Sequence, residues 1–263
     1  MPYKSVLLHV EPTDEARDRL RVAIGVAKSF DGRVIGVGAR AFNPMPDPIG
    51  LSIVKLRQEI DDGLVSVETL FKQTIADQGV PYIWHAEVDF PSDALLRYAC
   101  DADLIVAALN VEGQPSETQA GAADLIMSAG LPVLTVPAGA QLNAKRIVIG
   151  WKNTREARRA VWDALPLLKR AEDVRVLRFA SDPAPEVSSV VERLRLHKVP
   201  VEAEMRQRTE RSVAEDLLAA AEAMGAGLIV AGAYGHSRLR EWALGGVTQG
   251  LLTGSRTPVL FSH

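Results

Sequence analysis

Two stretches of the chain, KSVLLHVEPTDEARDRL at 4–20 and KRIVIGWKNTREARRAV at 145–161, align with each other without a gap. A lysine begins both, and the triplet EAR recurs in both at the same offset. Further pairs follow in the same order: VPYIWHAEV at 80–88 with VPVEAEMRQ at 199–207, ADLIVAALN at 102–110 with AGLIVAGAY at 226–234, and LPVLTVP at 131–137 with TPVLFSH at 257–263. Matched blocks in one order indicate an internal repeat. We predict two homologous domains, at 1–138 and 145–263.

Each repeat alternates short apolar runs with amphipathic stretches, which is the pattern of an α/β fold. Runs such as RIVIGW and GLIVAG are apolar throughout, as expected of parallel strands that are covered on both faces. In the second half we predict strands at 146–151, 174–179, 200–206, 227–231 and 257–262. Helices are predicted between them, at about 154–171, 184–197, 211–224 and 245–254. Each domain is therefore expected to be doubly wound, with a five-stranded, parallel-type sheet flanked by helices.

The first half is longer than the second because of an insertion that begins with AFNPMPDPIG at 41–50. Three prolines at alternate positions predict an extended loop. A long helix at roughly 51–77 is expected to follow. The loop is interpreted either as a surface connection or as a lid or partner-binding segment.

The composition is that of a globular protein, with 47% hydrophobic and 24% charged residues among 263. A net charge of -3 provides no basic footprint for nucleic acid. No run approaches 18 apolar residues and the N-terminus has no signal-like apolar segment, so we expect neither membrane insertion nor export. The single cysteine, Cys100, suits a reducing compartment and is expected to be buried as a small hydrophobe. A cytoplasmic location is predicted.

The stretch GAYGHSRLREWALGG at 232–246 directly follows the apolar run LIVA at 228–231. Ligands of open parallel sheets bind beyond the carboxyl ends of the strands. Glycines there let backbone N–H groups approach an anion, and a helix starting near Gly245 adds unpaired donors. Taken alone, the spacing of Gly232, Gly235 and Gly245 is equally compatible with a plain strand-to-helix turn.

These residues resemble those of a tandem universal stress protein, with two UspA-type domains in one chain. The resemblance covers nearly all of both halves and includes IVIGWKNTREARRAV, AGLIVAGAYG, GGVTQGLL and TPVLFSH. It implies a role in the stress response and binding of ATP or another adenine nucleotide. The implied nucleotide-binding residues are Ala231, Gly232, Tyr234, Gly235, His236, Gly245, Gly246, Val247, Thr248 and Lys152.

The second half departs from the family pattern at two positions. Gly246 stands where the family has serine or threonine, a loss of about 1 kcal/mol for one hydrogen bond that Thr248 is expected to offset in part. Lys152 stands where nucleotide-binding members have an acidic residue, so it cannot accept a hydrogen bond from ribose or help to hold a metal. It is interpreted either as a point charge on a phosphate or as a solvated lysine.

The first half lacks most of the glycine pattern. Ala108 and Val111 replace the first two glycines, and Glu112 and Glu117 place negative charge near any phosphate. Gly121 alone keeps its place near the start of a helix. We therefore expect no phosphate site in this half and a structural role instead.

No catalytic or metal-binding constellation is evident, since the five histidines do not occur in a ligand spacing such as HxxxH. His9 and His85 fall in predicted strands, whereas His236 falls in the glycine loop, where it could contact phosphate. No Walker motif or nucleophile elbow occurs. We expect a binding or sensing protein that is at most a weak ATPase, and no metal is predicted.

The resemblance also implies an assembly. Single-domain relatives commonly pair through their last strands, here at 132–136 and 258–262, so the two halves are expected to pack as a pseudo-dimer within one chain. Whether two such chains then form a homodimer is left open. The leading hypothesis is a nucleotide-binding sensor or regulator. The alternative is a tandem scaffold that binds no nucleotide and acts through protein partners, whose identity the sequence does not indicate.

Overall fold

The computed structural model describes residues 2–43, 51–109, 116–179, 185–235 and 246–263. Contacts divide the chain into two compact units, Pro2–Leu131 and Pro132–His263. Strands and helices alternate in both units, which confirms the predicted α/β fold.

The first unit is a four-stranded parallel sheet in the order β3-β2-β1-β4, with helices packed on it. Its long helix, α2, confirms the helix predicted at 51–77. Of the proline-rich loop that precedes it, residues 44–50 lie outside the described residues. The elements are β1 Ser5–His9, α1 Asp14–Ser29, β2 Arg33–Ala39, α2 Leu51–Ile75, β3 Tyr82–Glu87, α3 Pro91–Tyr98, β4 Leu104–Ala108 and α4 Ala122–Ser128.

The second unit holds six strands in the order β5-β10-β9-β6-β7-β8, all parallel except β5. The five strands predicted for the second half are all present, with bounds within two residues of the prediction. The elements are β5 Val133–Val136, β6 Arg146–Gly150, α5 Arg155–Asp163, α6 Leu165–Leu168, β7 Asp173–Phe179, α7 Pro185–Leu196, β8 Val201–Arg206, α8 Val213–Met224, β9 Leu228–Gly232, α9 Gly246–Gly254 and β10 Val259–Ser262.

One predicted helix, at 154–171, is divided into α5 and α6. Pro166 lies in the first turn of α6, and a proline has no N–H to continue the hydrogen bonds of the preceding helix. The start of α5 is as expected, because the Thr154 side chain accepts a hydrogen bond from the Ala157 N–H as an N-cap. Helix α8 begins with a capping box formed by Ser212 and Glu215.

The last strands of the two halves pair with each other, as predicted. Strand β5 runs antiparallel to β10, with Leu134 opposite Leu260, and the Thr135 hydroxyl donates to the Val259 carbonyl at 3.1 Å. This pairing groups β5 with the second unit, although the sequence repeat assigns it to the first half. Pairing also covers both strands, which would otherwise present free edges.

The central strands of the second unit are buried on both faces, which places its polar groups at the strand ends. In β6, Ile147, Val148 and Ile149 are at most 1% exposed, and the first three residues of β9 are fully buried. A sheet covered on both faces leaves the carboxyl ends of the strands as the place for a ligand.

Cys100 is exposed, so its predicted burial is wrong. It lies in a short 3-10 turn, Ala99–Asp101, that follows α3. The apolar pattern of α3 ends before this turn, and the change in helical geometry rotates Cys100 away from the core.

Candidate functional site

A cavity of about 490 Å³ opens at the carboxyl ends of β6, β7 and β9 in the second unit. Its volume is within the range of small-molecule sites. Eight of the ten residues implied by the sequence line it, while His236 and Gly245 lie outside the described residues. The eight are Ala231, Gly232, Tyr234, Gly235, Gly246, Val247, Thr248 and Lys152.

The three described glycines of the loop differ in what surrounds them. A Cβ at Gly232 would lie 2.4 Å from the Ala157 backbone nitrogen, so only glycine allows β9 to approach the start of α5. A Cβ at Gly235 would meet the Glu156 Oε2 at 2.9 Å, and one at Gly246 would meet nothing within 4 Å. Gly232 is therefore required for packing, while Gly246 has room for a side chain.

Thr248 connects the loop to helix α9. It is buried, and its hydroxyl accepts a hydrogen bond from the Tyr234 N–H at 3.3 Å. Tyr234 has a φ of 57°, in the left-handed region that non-glycine residues rarely adopt. The hydroxyl expected to compensate for Gly246 thus accepts a hydrogen bond from the loop backbone.

A carboxylate lies beneath the glycine loop, at a position that sequence reasoning missed. Glu156, in the first turn of α5, is 7% exposed, and its Oε2 is the atom nearest to a Cβ built at Gly235. Burial opposes its ionisation, but hydrogen bonds from its own backbone and from Thr154, with the charge of Arg155, hold its pKa below the usual value. An anion seated at Gly235 would therefore lie close to a negative charge.

The cavity is also lined by residues that the sequence did not single out. Arg178 and Phe179 end β7, Arg208 follows β8, and Trp151 follows β6. These residues lie at the carboxyl ends of neighbouring strands. The sequence places each of them near a strand end, but it does not show which strands are neighbours. The remaining lining residues are Gly150, Thr154, Ala157, Val213 and Leu217.

The corresponding place in the first unit has a cavity of about 420 Å³, and a buried ionic cluster forms part of its wall through Glu11 and Gln119. Glu11 aligns with Lys152 in the repeat, and its carboxylate accepts from Arg19 and, at 3.0 Å, from Gln119. The His9 Nδ1 lies 3.0 Å from the other carboxylate oxygen, while its Nε2 lies 3.1 Å from the Ala39 carbonyl. Glu11 follows β1 as Lys152 follows β6, and it is a carboxylate that sequence reasoning missed.

The Glu11 carboxylate is strongly stabilised in its ionised form. Burial opposes ionisation, but the His9 hydrogen bond and the charges of Arg19 and His9 lower the pKa of Glu11 from 4.5 to about 2. His9, Glu11 and Arg19 are each at most 6% exposed, so the Glu11 charge is balanced by neighbouring groups within the protein.

The segment of the first unit that aligns with the glycine loop makes hydrogen bonds to other parts of the protein. The Gly121 N–H donates to the Ser92 hydroxyl at 3.0 Å, and the Glu117 carboxylate accepts from the Asn43 side chain at 2.8 Å. Val111 and Glu112 lie outside the described residues, while Ala108 is buried at the end of β4. These contacts are consistent with the structural role expected for this half.

His85 is in β3 and stacks on Tyr98, with ring centroids 3.9 Å apart. Within the described ranges, no three His, Cys, Asp or Glu side chains are grouped so as to hold a metal ion. Of the helices described, none is long and apolar enough to cross a membrane.

These features define a class of protein. It is a tandem of doubly wound α/β units with a cavity at the carboxyl ends of the strands in the second unit. Residues 143–263 match the sequence model of the Universal stress protein family. The resemblance inferred from the sequence is thereby confirmed for the second unit, which is a universal stress protein domain. The search of curated proteins found no match to the chain.

Solved structures extend the likeness in fold to both units. A universal stress protein from Archaeoglobus fulgidus is similar with a TM-score of 0.73 and 14% identity, over 98% of each chain. A putative universal stress protein from Pseudomonas aeruginosa has a TM-score of 0.61 and 14% identity, over 99% of this chain and 93% of its own. A family member from Arabidopsis thaliana with AMP bound has a TM-score of 0.39 and 14% identity, over 52% of this chain and 93% of its own.

Proposed function

We propose that the second unit binds an adenine nucleotide, with ATP as the expected ligand, and that the protein acts in the cytoplasm as a sensor or regulator in a stress response. The observation that carries this proposal is the cavity in which Gly232, Gly235 and the start of α9 surround one space. Backbone N–H groups and the positive end of a helix dipole suit a phosphate chain. Apolar lining from Trp151 and Phe179 suits a purine.

The test is to purify the chain without added nucleotide, denature it, and identify the released small molecules by mass spectrometry. About one ATP or ADP per chain is the expected result, because only the second unit retains the glycine pattern. An empty protein that also fails to bind millimolar ATP in calorimetry would overturn the proposal.

We expect the substitution Gly235→Val to abolish nucleotide binding. Its side chain would stand where the phosphate approaches the backbone, and its Cβ would press on the Glu156 carboxylate, which can move without shifting the main chain. The fold should remain, as measured by circular dichroism, since Gly235 is exposed. The matched control is Gly25→Val, at an exposed position in α1 with nothing within 4 Å of its Cβ. Equal nucleotide affinity in the two variants would contradict the site.

We expect Gly246→Ser to bind nucleotide about fivefold more tightly, because the added hydroxyl restores a hydrogen bond of about 1 kcal/mol. No atom lies within 4 Å of the new Cβ, so the side chain enters without strain. Gly246→Ala is the control, since it adds the same Cβ and helix propensity without the hydroxyl. Calorimetric affinities that are equal for the serine and alanine variants would show that the hydroxyl contributes nothing.

Two features of the cavity favour a second candidate function. The buried Glu156 carboxylate opposes an anion at Gly235 and remains ionised, and Lys152 supplies no acceptor for ribose. A tandem scaffold that acts through protein partners would tolerate both features. This candidate is favoured if the chain binds no nucleotide and Gly235→Val has no effect on its partners.

A further inference from the structure

A helix of the insertion forms part of the wall of the first-unit cavity. Helix α2 connects β2 to β3, and three of its residues, Gly63, Leu64 and Val67, line the cavity. Helix α7 connects the corresponding strands β7 and β8, but none of its described residues lines the second-unit cavity. The first-unit cavity is therefore not a copy of the second, although its volume of about 420 Å³ is also within the range of small-molecule sites.

Arg40 places a cation at this cavity. It directly follows β2, is partly buried and lines the cavity. Its backbone N–H donates to the Glu87 carbonyl, but its guanidinium makes no hydrogen bond or ion pair with another side chain among the described residues. A guanidinium is always charged and carries five N–H donors, so this side chain is suited to pair with an anion in the cavity.

Gly63 leaves the space beside this guanidinium open. It is in the interior of the 25-residue helix α2, where glycine is among the least favourable residues. A Cβ built at Gly63 would lie 3.9 Å from the Arg40 Nη1 and within 4 Å of no other atom in the described part of the chain. A longer side chain at this position would therefore occupy the space that a ligand of Arg40 needs.

The rest of the cavity wall suits a ligand with an apolar body and a single negative charge. Among the described lining residues, only Glu11 and Arg40 are charged. Glu11 is ionised at neutral pH because its pKa is lowered to about 2. A second negative charge on a ligand would meet either this carboxylate or an apolar wall, and both are unfavourable. The apolar lining residues are Val10, Pro12, Ala39, Leu64 and Val67.

We propose that the first unit binds a small monocarboxylate with an apolar body, at a site separate from the nucleotide site proposed for the second unit. The Arg40 guanidinium pairs with the carboxylate, and the apolar part of the ligand packs against Leu64 and Val67. A planar guanidinium matches the two oxygens of a carboxylate in a bidentate pair. A phosphate monoester is disfavoured, because it carries a second negative charge and this unit lacks the glycine pattern.

The test compares three six-carbon probes that differ only at their ends, namely hexanoate, hexanamide and adipate. Their affinities for the full chain are measured at pH 7 by ligand-observed NMR titration. We expect hexanoate to bind at least about tenfold more tightly than the neutral hexanamide, because charge-assisted hydrogen bonds are about twice as strong as neutral ones. Adipate should also bind more weakly than hexanoate, since its second carboxylate has to leave water for an apolar wall.

Arg40→Gln should lower the affinity for hexanoate about tenfold and leave the affinity for hexanamide unchanged, because only the carboxylate uses the positive charge. The matched control is Arg21→Gln in α1, an exposed arginine whose Nη1 lies 2.7 Å from an Asp18 carboxylate oxygen and that does not line the cavity. Equal loss of hexanoate affinity in both variants would attribute the effect to net charge and overturn the inference.

Gly63→Leu tests the same site without a change of charge. The new side chain should fill the space beside Arg40 and abolish hexanoate binding, while the fold should remain, because leucine is a better helix former than glycine. Circular dichroism checks the fold. The matched control is Gly25→Leu, at an exposed position in α1 with nothing within 4 Å of its Cβ. The inference is wrong if the two variants bind hexanoate equally well.

The remaining outcomes separate this inference from the proposed function. If hexanoate does not bind at millimolar concentration, or binds no better than hexanamide, the carboxylate site is overturned and nucleotide binding is unaffected. Displacement of hexanoate by ATP would place hexanoate in the second-unit cavity and would also overturn the inference. If ATP does not bind but hexanoate shows the expected selectivity, only the proposed function is overturned.

Discussion

Glu11→Gln is expected to lower the free energy of unfolding of the first unit by about 3–5 kcal/mol at pH 7. The substitution leaves the buried Arg19 without its counter-charge, and breaking a buried ion pair from one side costs this much. The size of the cost reflects burial, because Arg19 is 4% exposed and its charge has no access to water.

The effect should depend on pH in a defined direction. The pKa of Glu11 is lowered from 4.5 to about 2, so the folded state favours the ionised form. The stability contributed by this carboxylate is fully present above pH 4.5 and is lost as the pH falls towards 2. The difference between the wild-type chain and the variant should therefore shrink over that interval.

Hydrogen exchange of the β1 peptide, measured by mass spectrometry, reports on the stability of the first unit alone. The control is Glu59→Gln in α2, which removes an exposed carboxylate that pairs with Lys55 at 3.7 Å and should change stability by less than about 0.5 kcal/mol. Similar exchange rates for the two variants at pH 7 would contradict the role of the buried cluster.

Gly232→Ala is expected to destabilise the second unit by about 3 kcal/mol and to abolish nucleotide binding. The new Cβ would lie 2.4 Å from the Ala157 nitrogen and 2.6 Å from the Glu156 carbonyl carbon. Both are main-chain atoms, so relief requires α5 to move away from β9, and such overpacking costs about 1–3 kcal/mol or more. Movement of α5 also displaces Thr154, which lines the cavity.

The measurement is urea denaturation together with nucleotide calorimetry, and the control is Gly246→Ala. Both variants add one methyl group to a glycine that lines the cavity, but only Gly232 has backbone atoms in the way. We expect the Gly246→Ala variant to retain its stability. A Gly232→Ala variant that unfolds at the wild-type urea concentration would show that α5 accommodates the methyl group.

Much of the fold could be predicted from the sequence because its signals are local or repeated. The runs RIVIGW and GLIVAG predict buried parallel strands from their composition alone, and the repeat assigns the same elements to both halves. The capping residues Thr154 and Ser212 also act over three residues, so their roles were readable before the structure was known. Pro166 shows the limit, since the break between α5 and α6 was missed.

The candidate site also contains some residues that the sequence indicates and others that only the structure identifies. The glycines could be proposed from the resemblance to universal stress proteins, because they lie within one short stretch of sequence, although their spacing alone is equally compatible with a plain turn. Arg178 and Arg208 could not, since Arg178 ends β7 and Arg208 follows β8, and they line one cavity with Lys152 only through the order β6-β7-β8. The Glu156 carboxylate beneath Gly235 was missed for the same reason, because these residues are far apart in sequence and adjacent in space.

By itself, the sequence determined that the chain is a tandem of α/β halves and that only the second half keeps a glycine loop. The tertiary structure alone decided which unit holds β5, that Gly232 serves packing, that Glu11 lies in a buried ionic cluster, and where the cations lie around the cavity. The physical reason is that periodicity and capping act along the chain over a few residues, whereas charge, burial and close approach depend on distances between segments that the sequence does not record.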